Sequence, residues 1–592
     1  MRRLHSVLLL AAVTAACAAP GPPSRPNVVL FLADDQGWGD LSIHGNANVR
    51  TPNIDALAQG GAAFHHFFVS PVCSPTRAEL LTGRYHVRSG VYATSRGGER
   101  MDLDETTIAE VFRDADYATA AFGKWHNGTQ PPYHPNARGF DEFYGFTSGH
   151  WGNYFDPPLD HNGRLVKGNG YVTDDFTDRA IRFIEDHRDT PFFVWVAYNT
   201  PHSPMQVPDR WWSRLAADPL AQRHRDPEKE RPDHTRAALA MVENIDWNVG
   251  RMTERLTQLG LENDTIVIYL TDNGPNGWRW NGGMKGRKGS IDEGGVRSPL
   301  FLRWPRVIEA RTHVDRIAAA IDLLPTLAEL AGIPYSTSQP VDGLSLSPLL
   351  EPALHDAEAW PDRHLVNHWR GRTSIRSQQY RLDHQGQLFD MAADPGQRND
   401  IAVEQPGVAA RLTATRDAWI EQALAELPET DTRPFPIGHP AHEYTHLPAR
   451  DGVARGGIER SSRYPNDSYF TGWSSTRDAI DWDVEVLTGG RFEAVLYYTC
   501  GDLDTGALVE LRLGDQAVVG RIADAHDPPL VGMEHDRVER IESYVKDFRP
   551  TVLGTLDLDA GHGTLTLRAL EIPGRQVMDF RLLTLRRLKL PA

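Results

Sequence analysis

The chain reads as an α/β protein with a large, mostly parallel, doubly wound sheet, then a small C-terminal α+β subdomain, then an all-β sandwich. Three observations predict this. Short apolar runs alternate with helix-period patterns through residues 26–350, which implies crossover connections and helices on both sheet faces. The apolar runs are continuous rather than alternating, as in strands buried on both sides. From Asp481 onward the period changes to two, as in strands with one wet face.

The runs are Asn27 to Leu32, Ala118 to Phe122, Phe192 to Tyr198 and Ile266 to Leu270. Between them, Glu105 to Tyr117 carries Ile108, Val111 and Phe112 at helical spacing, and Asp174 to His187 carries Ile181 and Ile184. The longest helical stripe runs from Arg236 to Leu259 through Leu239, Val242, Ile245, Val249, Met252 and Leu256. A further helix is expected over Arg316 to Ala331, interrupted at Pro325. We assign residues 26–350 to the large domain and 351–430 to the smaller subdomain. Residues 431–470, rich in Pro, Gly, Arg and His without clear period, read as a linker or wrapping segment. Residues 471–592 carry the alternating strands, with turns at Gly489-Gly490 and Gly561-His562-Gly563, and have the size of a β-sandwich. No repeat of solenoid period is present.

Composition narrows the function. Of 592 residues, 40% are hydrophobic and 24% charged, which is ordinary globular material. A net charge of −17 argues against general nucleic-acid binding, which needs a basic face. It does not exclude an anionic substrate held by a local cationic cluster. Residues 1–19 have a charged start, a short apolar stretch and small residues, the pattern of a signal peptide. Export is therefore expected, to a periplasmic, cell-surface or secreted location. Cys17 is a candidate lipid-attachment cysteine, although Thr14 stands where a large aliphatic residue is expected; lipid anchoring and ordinary cleavage near Ala18 or Ala19 both stay open. No later apolar run is long enough to span a bilayer. Of the other cysteines, Cys73 and Cys500 fall in different expected domains, so a disulfide framework is not expected.

The chemistry gathers where the strands end, the edge at which open α/β sheets bind ligands. Leu32 is followed by Asp34-Asp35, Phe122 by Gly123-Lys124-Trp125-His126, Tyr198 by Thr200-Pro201-His202, and Leu270 by Asp272-Asn273. One acidic pair alone is more often a strand cap. Two such pairs after different strands, offering only oxygen, suit a hard cation such as Ca2+ or Mg2+. Lys124 and His126 could bind an anion and move a proton, and His202 between prolines suits a fixed acid. The stretch Cys73-Ser74-Pro75-Thr76-Arg77 runs on to Leu81-Thr82-Gly83-Arg84. Pro75 fits the first turn of a helix ending near Gly83, which puts Cys73 at a helix N-terminus, where free N–H groups favour anions. The plain alternative is a buried core thiol.

Cys-x-Pro-x-Arg followed by Leu-Thr-Gly-Arg resembles the formylglycine motif of type I sulfatases, members of the alkaline phosphatase superfamily. Asp34-Asp35, Gly123-Lys124-Trp125-His126, Arg138-Gly139-Phe140-Asp141, Lys288 through Glu293-Gly294-Gly295-Val296-Arg297, and Gln387-Leu388-Phe389-Asp390 resemble other blocks of that family, over about residues 26–402. The resemblance implies oxidation of Cys73 to formylglycine by a maturation enzyme. It implies one Ca2+ ion, in preference to Mg2+, held by Asp34, Asp35, residue 73, Asp272 and Asn273. It implies attack on sulfur by a hydrated aldehyde, charge offset by Arg77, Lys124 and Lys288, His202 as acid and His126 as base. Lys285 competes with Lys288, which has the family spacing. The expected substrate is a sulfated carbohydrate, for example an algal polysaccharide such as ulvan. His134, Arg138, His150, Trp151, Lys285, His368 and Arg370 are expected to line its pocket. A phosphatase or phosphonate monoester hydrolase of the same superfamily, and a non-catalytic glycan-binding protein, are the alternatives.

Overall fold

The computed structural model describes residues 25–350, 360–427 and 431–588; the expected signal peptide and Cys17 lie outside the described residues. The main sheet contains β1 (Asn27–Ala33), β2 (Ala62–Phe68), β3 (Ala118–Lys124), β4 (Glu142–Phe146), β5 (Pro158–His161), β6 (Arg164–Lys167), β7 (Phe192–Ala197), β8 (Thr265–Thr271), β9 (Arg297–Arg303), β10 (Thr312–Val314) and β11 (Ala318–Ala319). Its order is β10-β2-β9-β8-β1-β7-β3-β4-β5-β6, with β11 beside β2. Strands β8, β1, β7, β3 and β4 run parallel, while β9 and the β5–β6 hairpin are antiparallel to their neighbours. The four apolar runs of the sequence are thus β1, β3, β7 and β8, the centre of the sheet.

Alternate residues of β1 feed two cores. Val28, Leu30 and Leu32 pack on one face, and Val29, Phe31 and Ala33 on the other. Both faces are dry, which is why β1 reads as an unbroken apolar run. The helix Pro232–Gln258 covers the second face with its Leu239–Leu256 stripe. The helices Cys73–Thr82 and Leu323–Leu330 cover the first. Residues 316–331 differ from expectation. They form β11, a 3-10 turn and then the helix Leu323–Leu330, because Pro325 is tolerated only in a first turn. Gly123 (φ 114°) carries β3 into the site; a Cβ there would lie 2.0 Å from the Ala197 carbonyl oxygen.

A four-stranded antiparallel sheet, Leu365–Trp369 to Leu388–Asp390, packs with the helix Pro406–Leu424 to form the smaller subdomain. Two six-stranded sheets then enclose one core built on Trp473, Trp482, Leu496, Tyr498, Leu567 and Phe580. Residues 431–470 are not a simple linker. Phe435–Ile437 pairs with Ala479–Val486, and Tyr444–Pro448 pairs with Asp579–Arg587. Strands of three to five residues give too few alternations to read, and their prolines are tolerated only at sheet edges.

The sandwich docks through buried polar contacts. Arg450 donates to Thr129 Oγ1 (2.6 Å), Ser148 Oγ (3.0 Å) and Asn466 Oδ1 (3.0 Å), and lies 3.4 Å from Glu99. Arg450→Met would leave Glu99 buried without its cation, and removing one partner of a buried pair costs roughly 3–5 kcal/mol. Calorimetry is expected to record a lower unfolding temperature for Arg450→Met; an unchanged value would argue against this dock as a stabilising contact.

Candidate active site

Val72 is extended, and the helix Cys73–Thr82 begins immediately after it, fully buried. Thr76 fixes the entry: its Oγ1 accepts from Ser70 N at 2.9 Å. The helix closes on Gly83 (φ 70°), whose N–H donates to the Glu79 carbonyl oxygen. Residue 73 therefore sits at the free N–H groups of a buried helix. Its Sγ and carboxylate oxygens of Asp34 and Asp272 lie within 4.8 Å of one another, and a nitrogen of His202 is equally close to Asp34 and Asp35.

Each carboxylate is paired with a cation. Lys124 Nζ is 2.7 Å from Asp34 Oδ2, and Lys288 Nζ is 2.6 Å from Asp35 Oδ1. Arg77 grips Asp272 Oδ2 through Nη2 (2.9 Å) and Nε (3.2 Å) and donates through Nη1 to the Lys124 carbonyl (2.6 Å). Asp35 takes a left-handed φ of 66°, its N–H donates to Asp272 Oδ1 at 3.1 Å, and its side chain accepts from Asn273 Nδ2 at 2.8 Å. Burial would raise the Asp34 carboxyl, but Lys124, His202, Arg77 and Lys288 outweigh it and hold the group well below the carboxylate range. Asp272 goes the other way: burial and the Asp34 charge push it well above that range despite Arg77. Lys288 is desolvated, yet Asp35 keeps its ammonium charged.

Two buried oxygens, Asp34 Oδ1 and Asn273 Oδ1, have no hydrogen-bond partner. Orphaned buried acceptors beside a raised carboxyl fit a hard cation, which would satisfy both oxygens and favour ionised Asp272. Asp34, Asp35, Asp272 and Asn273, with residue 73, are the groups that could hold it.

The histidines have defined tautomers. His126 Nε2 lies 2.9 Å from the Thr94 carbonyl, which can only accept, so Nε2 carries the proton and Nδ1, buried without a partner, is a free acceptor. Burial and Lys124 hold His126 well below the usual imidazole range, hence neutral. His202 donates from Nδ1 to the Ser203 carbonyl (2.6 Å) and turns Nε2 toward Asp35 Oδ2 at 3.5 Å. His150 stacks on His202 with ring centroids 5.9 Å apart.

Of the expected pocket residues, His150 alone contacts this cluster. Lys285 pairs with Asp292 at 3.3 Å and leans on Phe389, so Lys288 is the lysine at the site. His134 is bound to Asp160 at the seam with the sandwich, and Arg138 is spent on the Asp102 and Glu105 carbonyls. Trp151 stacks on Phe146, and His368 bonds Thr373. Arg370 is an exposed turn residue (φ 48°) over the Trp369 ring. Sequence proximity to a motif placed them in the pocket, but internal hydrogen bonds and packing use these side chains elsewhere. Conversely, Arg279 clamps Asp40 and donates to the Asp35 carbonyl (3.0 Å), and Asn127 Nδ2 reaches the Ser74 carbonyl (3.2 Å). Neither has a spacing signal, since each acts across the fold on backbone oxygen.

The sulfatase family model matches residues 26–333, just over half of the chain. The chain belongs to the sulfatase family. A second model, N-sulphoglucosamine sulphohydrolase, C-terminal, matches residues 287–417 of this sulfatase. Human arylsulfatase A is 33% identical over 441 residues, covering 66% of this chain and 80% of that protein. Mouse N-acetylgalactosamine-6-sulfatase is 31% identical over 379 residues, covering 58% and 69%. The crystal structure of Ps i-CgsB in complex with k-i-k-neocarrahexaose superposes with a TM-score of 0.61 at 30% identity, covering 69% of this chain and 96% of that one. The protein is a sulfuric ester hydrolase. Its family generally uses a formylglycine and a divalent metal, and the acidic cluster fits such an ion.

Two outcomes follow from this geometry. Chelation with EDTA is expected to lower the unfolding temperature, and added Ca2+ to restore it; a scan indifferent to both would remove the cation reading. Glu79, on the helix that carries Cys73, is raised to about 8 by burial, against hydrogen bonds from Ser70 and the His86 N–H. The folded state therefore keeps a proton that the unfolded state loses above its ordinary value of 4.5, so stability should fall as pH rises from there to about 8. Glu79→Gln should flatten that part of the Tm-against-pH curve; an unaltered slope would exclude Glu79 as its source.

Proposed function

We propose that this is an exported sulfatase that removes sulfate from a sulfated carbohydrate, using Cys73 as formylglycine and a bound Ca2+ ion. The observation that carries it is residue 73 at a helix N-terminus within 4.8 Å of Asp34 and Asp272, an oxygen-rich setting poorly suited to a working thiolate. Oxidised to formylglycine, residue 73 supplies an oxygen nucleophile in place of sulfur. A cation held by Asp34, Asp35, Asp272 and Asn273 supplies positive charge to the sulfate oxygens.

The remaining work belongs to the chain. Lys124 and Lys288 place ammonium groups at the anion site, where charge developing on the sulfate is offset in a dry environment. Arg77 acts mainly through Asp272, gripping its carboxylate and holding it in place beside residue 73. His202 Nε2 is the donor for the alcohol oxygen released when the S–O bond breaks. His126 Nδ1 takes the proton at residue 73 that lets sulfate leave. A carbohydrate substrate is supported by relatives named for N-acetylgalactosamine 6-sulfate and by the neocarrahexaose complex. Ulvan is one candidate of that class. Export to the periplasm, the cell surface as a lipoprotein, or the medium rests on the pattern of residues 1–19; among the described residues no helix is long and apolar enough to cross a membrane. A formylglycine-generating partner enzyme is required.

Cys73→Ala is expected to reduce sulfate-ester turnover by at least about a thousandfold, as loss of a covalent nucleophile does. The wild-type peptide should be lighter by about 18 Da when matured. Full activity in Cys73→Ala, or an unshifted peptide from active enzyme, would overturn the mechanism; faster turnover of phosphate or phosphonate esters would reassign the substrate.

A further inference from the structure

We propose that the β-sandwich domain carries a subsite for the sulfated glycan chain beyond the sugar whose ester is cleaved. An open cleft of about 490 Å³ is lined by Ser461, Arg463, Tyr469, Ile541, Glu542 and Tyr544, among others, all from this domain. Its volume lies in the range of ligand pockets, roughly 300–1,000 Å³.

Two short hydrogen-bond relays link the segments around it to His126 and His202. On one side, Asn466 Nδ2 donates to the Thr94 carbonyl at 3.1 Å, the same oxygen that His126 Nε2 holds at 2.9 Å. On the other, Glu542 accepts from Ser203 Oγ, and Ser203 accepts from His202 through its own carbonyl. The Ser461 and Ser543 hydroxyls, 2.7 Å apart, join the walls. Hydrogen bonds thus tie Glu542, in the lining, and Asn466, near the lining residues Arg463 and Tyr469 in sequence, to the two loops that orient His202 and His126. It is along this side of the site that the proposed chain extends.

The lining suits a polyanionic sugar. Arg463 is exposed, and its polar contact is a neighbouring phenol, Tyr464 OH at 2.8 Å. Arg96, outside the lining but on the loop that supplies the Thr94 carbonyl, is exposed. Among the described residues neither Arg463 nor Arg96 has an ion-pair partner, on a chain of net charge −17. Ile541 is 64% exposed beside Tyr544, giving an apolar surface among hydroxyls. Apolar and phenolic faces meet the C–H faces of sugar rings, hydroxyls bond their oxygens, and free guanidinium groups bind sulfate.

This inference rests on the substrate being a sulfated carbohydrate, and binding rather than turnover tests it. Monosaccharide sulfates and hexasaccharides of carrageenan, chondroitin 6-sulfate and ulvan would be titrated into the full-length Cys73→Ala protein. At least one hexasaccharide is expected to bind about tenfold or more tightly than its monosaccharide, a gain of about 1.4 kcal/mol. Arg463→Glu, at an exposed position, and Tyr544→Ala should each remove most of that gain. No gain with any of the glycans, or a gain that survives both substitutions, would overturn the subsite. Failure of the sulfatase reading would appear separately, as wild-type protein that turns over no sulfate ester while the length-dependent binding persists.

Discussion

Three acidic side chains, Asp34, Asp35 and Asp272, are buried together at the carboxyl edge of the central sheet, and the local structure is organised by what keeps them there. Removing one carboxylate from water costs several kcal/mol even after relaxation. One cation 4 Å away returns about 4 kcal/mol at an effective dielectric of 20. A single partner per acid thus barely balances the cost, and the mutual repulsion of three acids tips it the wrong way. The site meets this with Lys124, Lys288 and Arg77, each from a different segment, and still leaves Asp34 Oδ1 and Asn273 Oδ1 without partners. The same arrangement that strains the protein alone would be completed by a divalent cation, and its lysines suit an anionic sulfate.

That constraint explains which parts were legible in the sequence. Strands β1, β3, β7 and β8 are dry on both faces, so they appear as unbroken apolar runs, and the residues just beyond them are forced to one edge. Asp34, Lys124, His202 and Asp272 could be gathered by that rule alone. Strand β2 was hidden because His65 and His66 break its run, and β9 because Pro299 does. Arg279 and Asn127 were invisible because they act on backbone carbonyls hundreds or dozens of residues away, where no spacing connects donor and acceptor. Arg138 and His134 failed in the opposite sense: their chemistry suited a pocket, but nearer carbonyl and carboxylate groups had already engaged them.

The C-terminal sandwich illustrates the limit of pattern reading more sharply. Its long strands announced themselves by alternation, while residues 431–470 carry the pieces that matter for the site. Arg450 is buried among Thr129, Ser148 and Asn466, and Asp467 accepts from the Gly152 N–H. Gly149 itself is packed so closely that a Cβ would fall 2.6 Å from His126 Nε2 and 2.3 Å from Asn466 Nδ2. The loop between β4 and β5 is thus held between His126 and the sandwich, so the domain that lies beyond both matched family models helps fix the geometry within them.

The two histidines show why such support matters. The roles proposed for them are opposite, and nothing in the imidazole itself separates them. What separates them is the partner of the second nitrogen. A carbonyl from Thr94 fixes His126 with a bare Nδ1, while burial and Lys124 keep it neutral and ready to accept. A carbonyl from Ser203 fixes His202 the other way round, with Nε2 facing the Asp35 carboxylate at 3.5 Å. Both carbonyls sit on loops touched by the sandwich, through Asn466 in one case and Glu542 in the other. The proposed acid and base are therefore distinguished by main-chain oxygens, and the domain farthest along the chain braces the loops on which those oxygens lie.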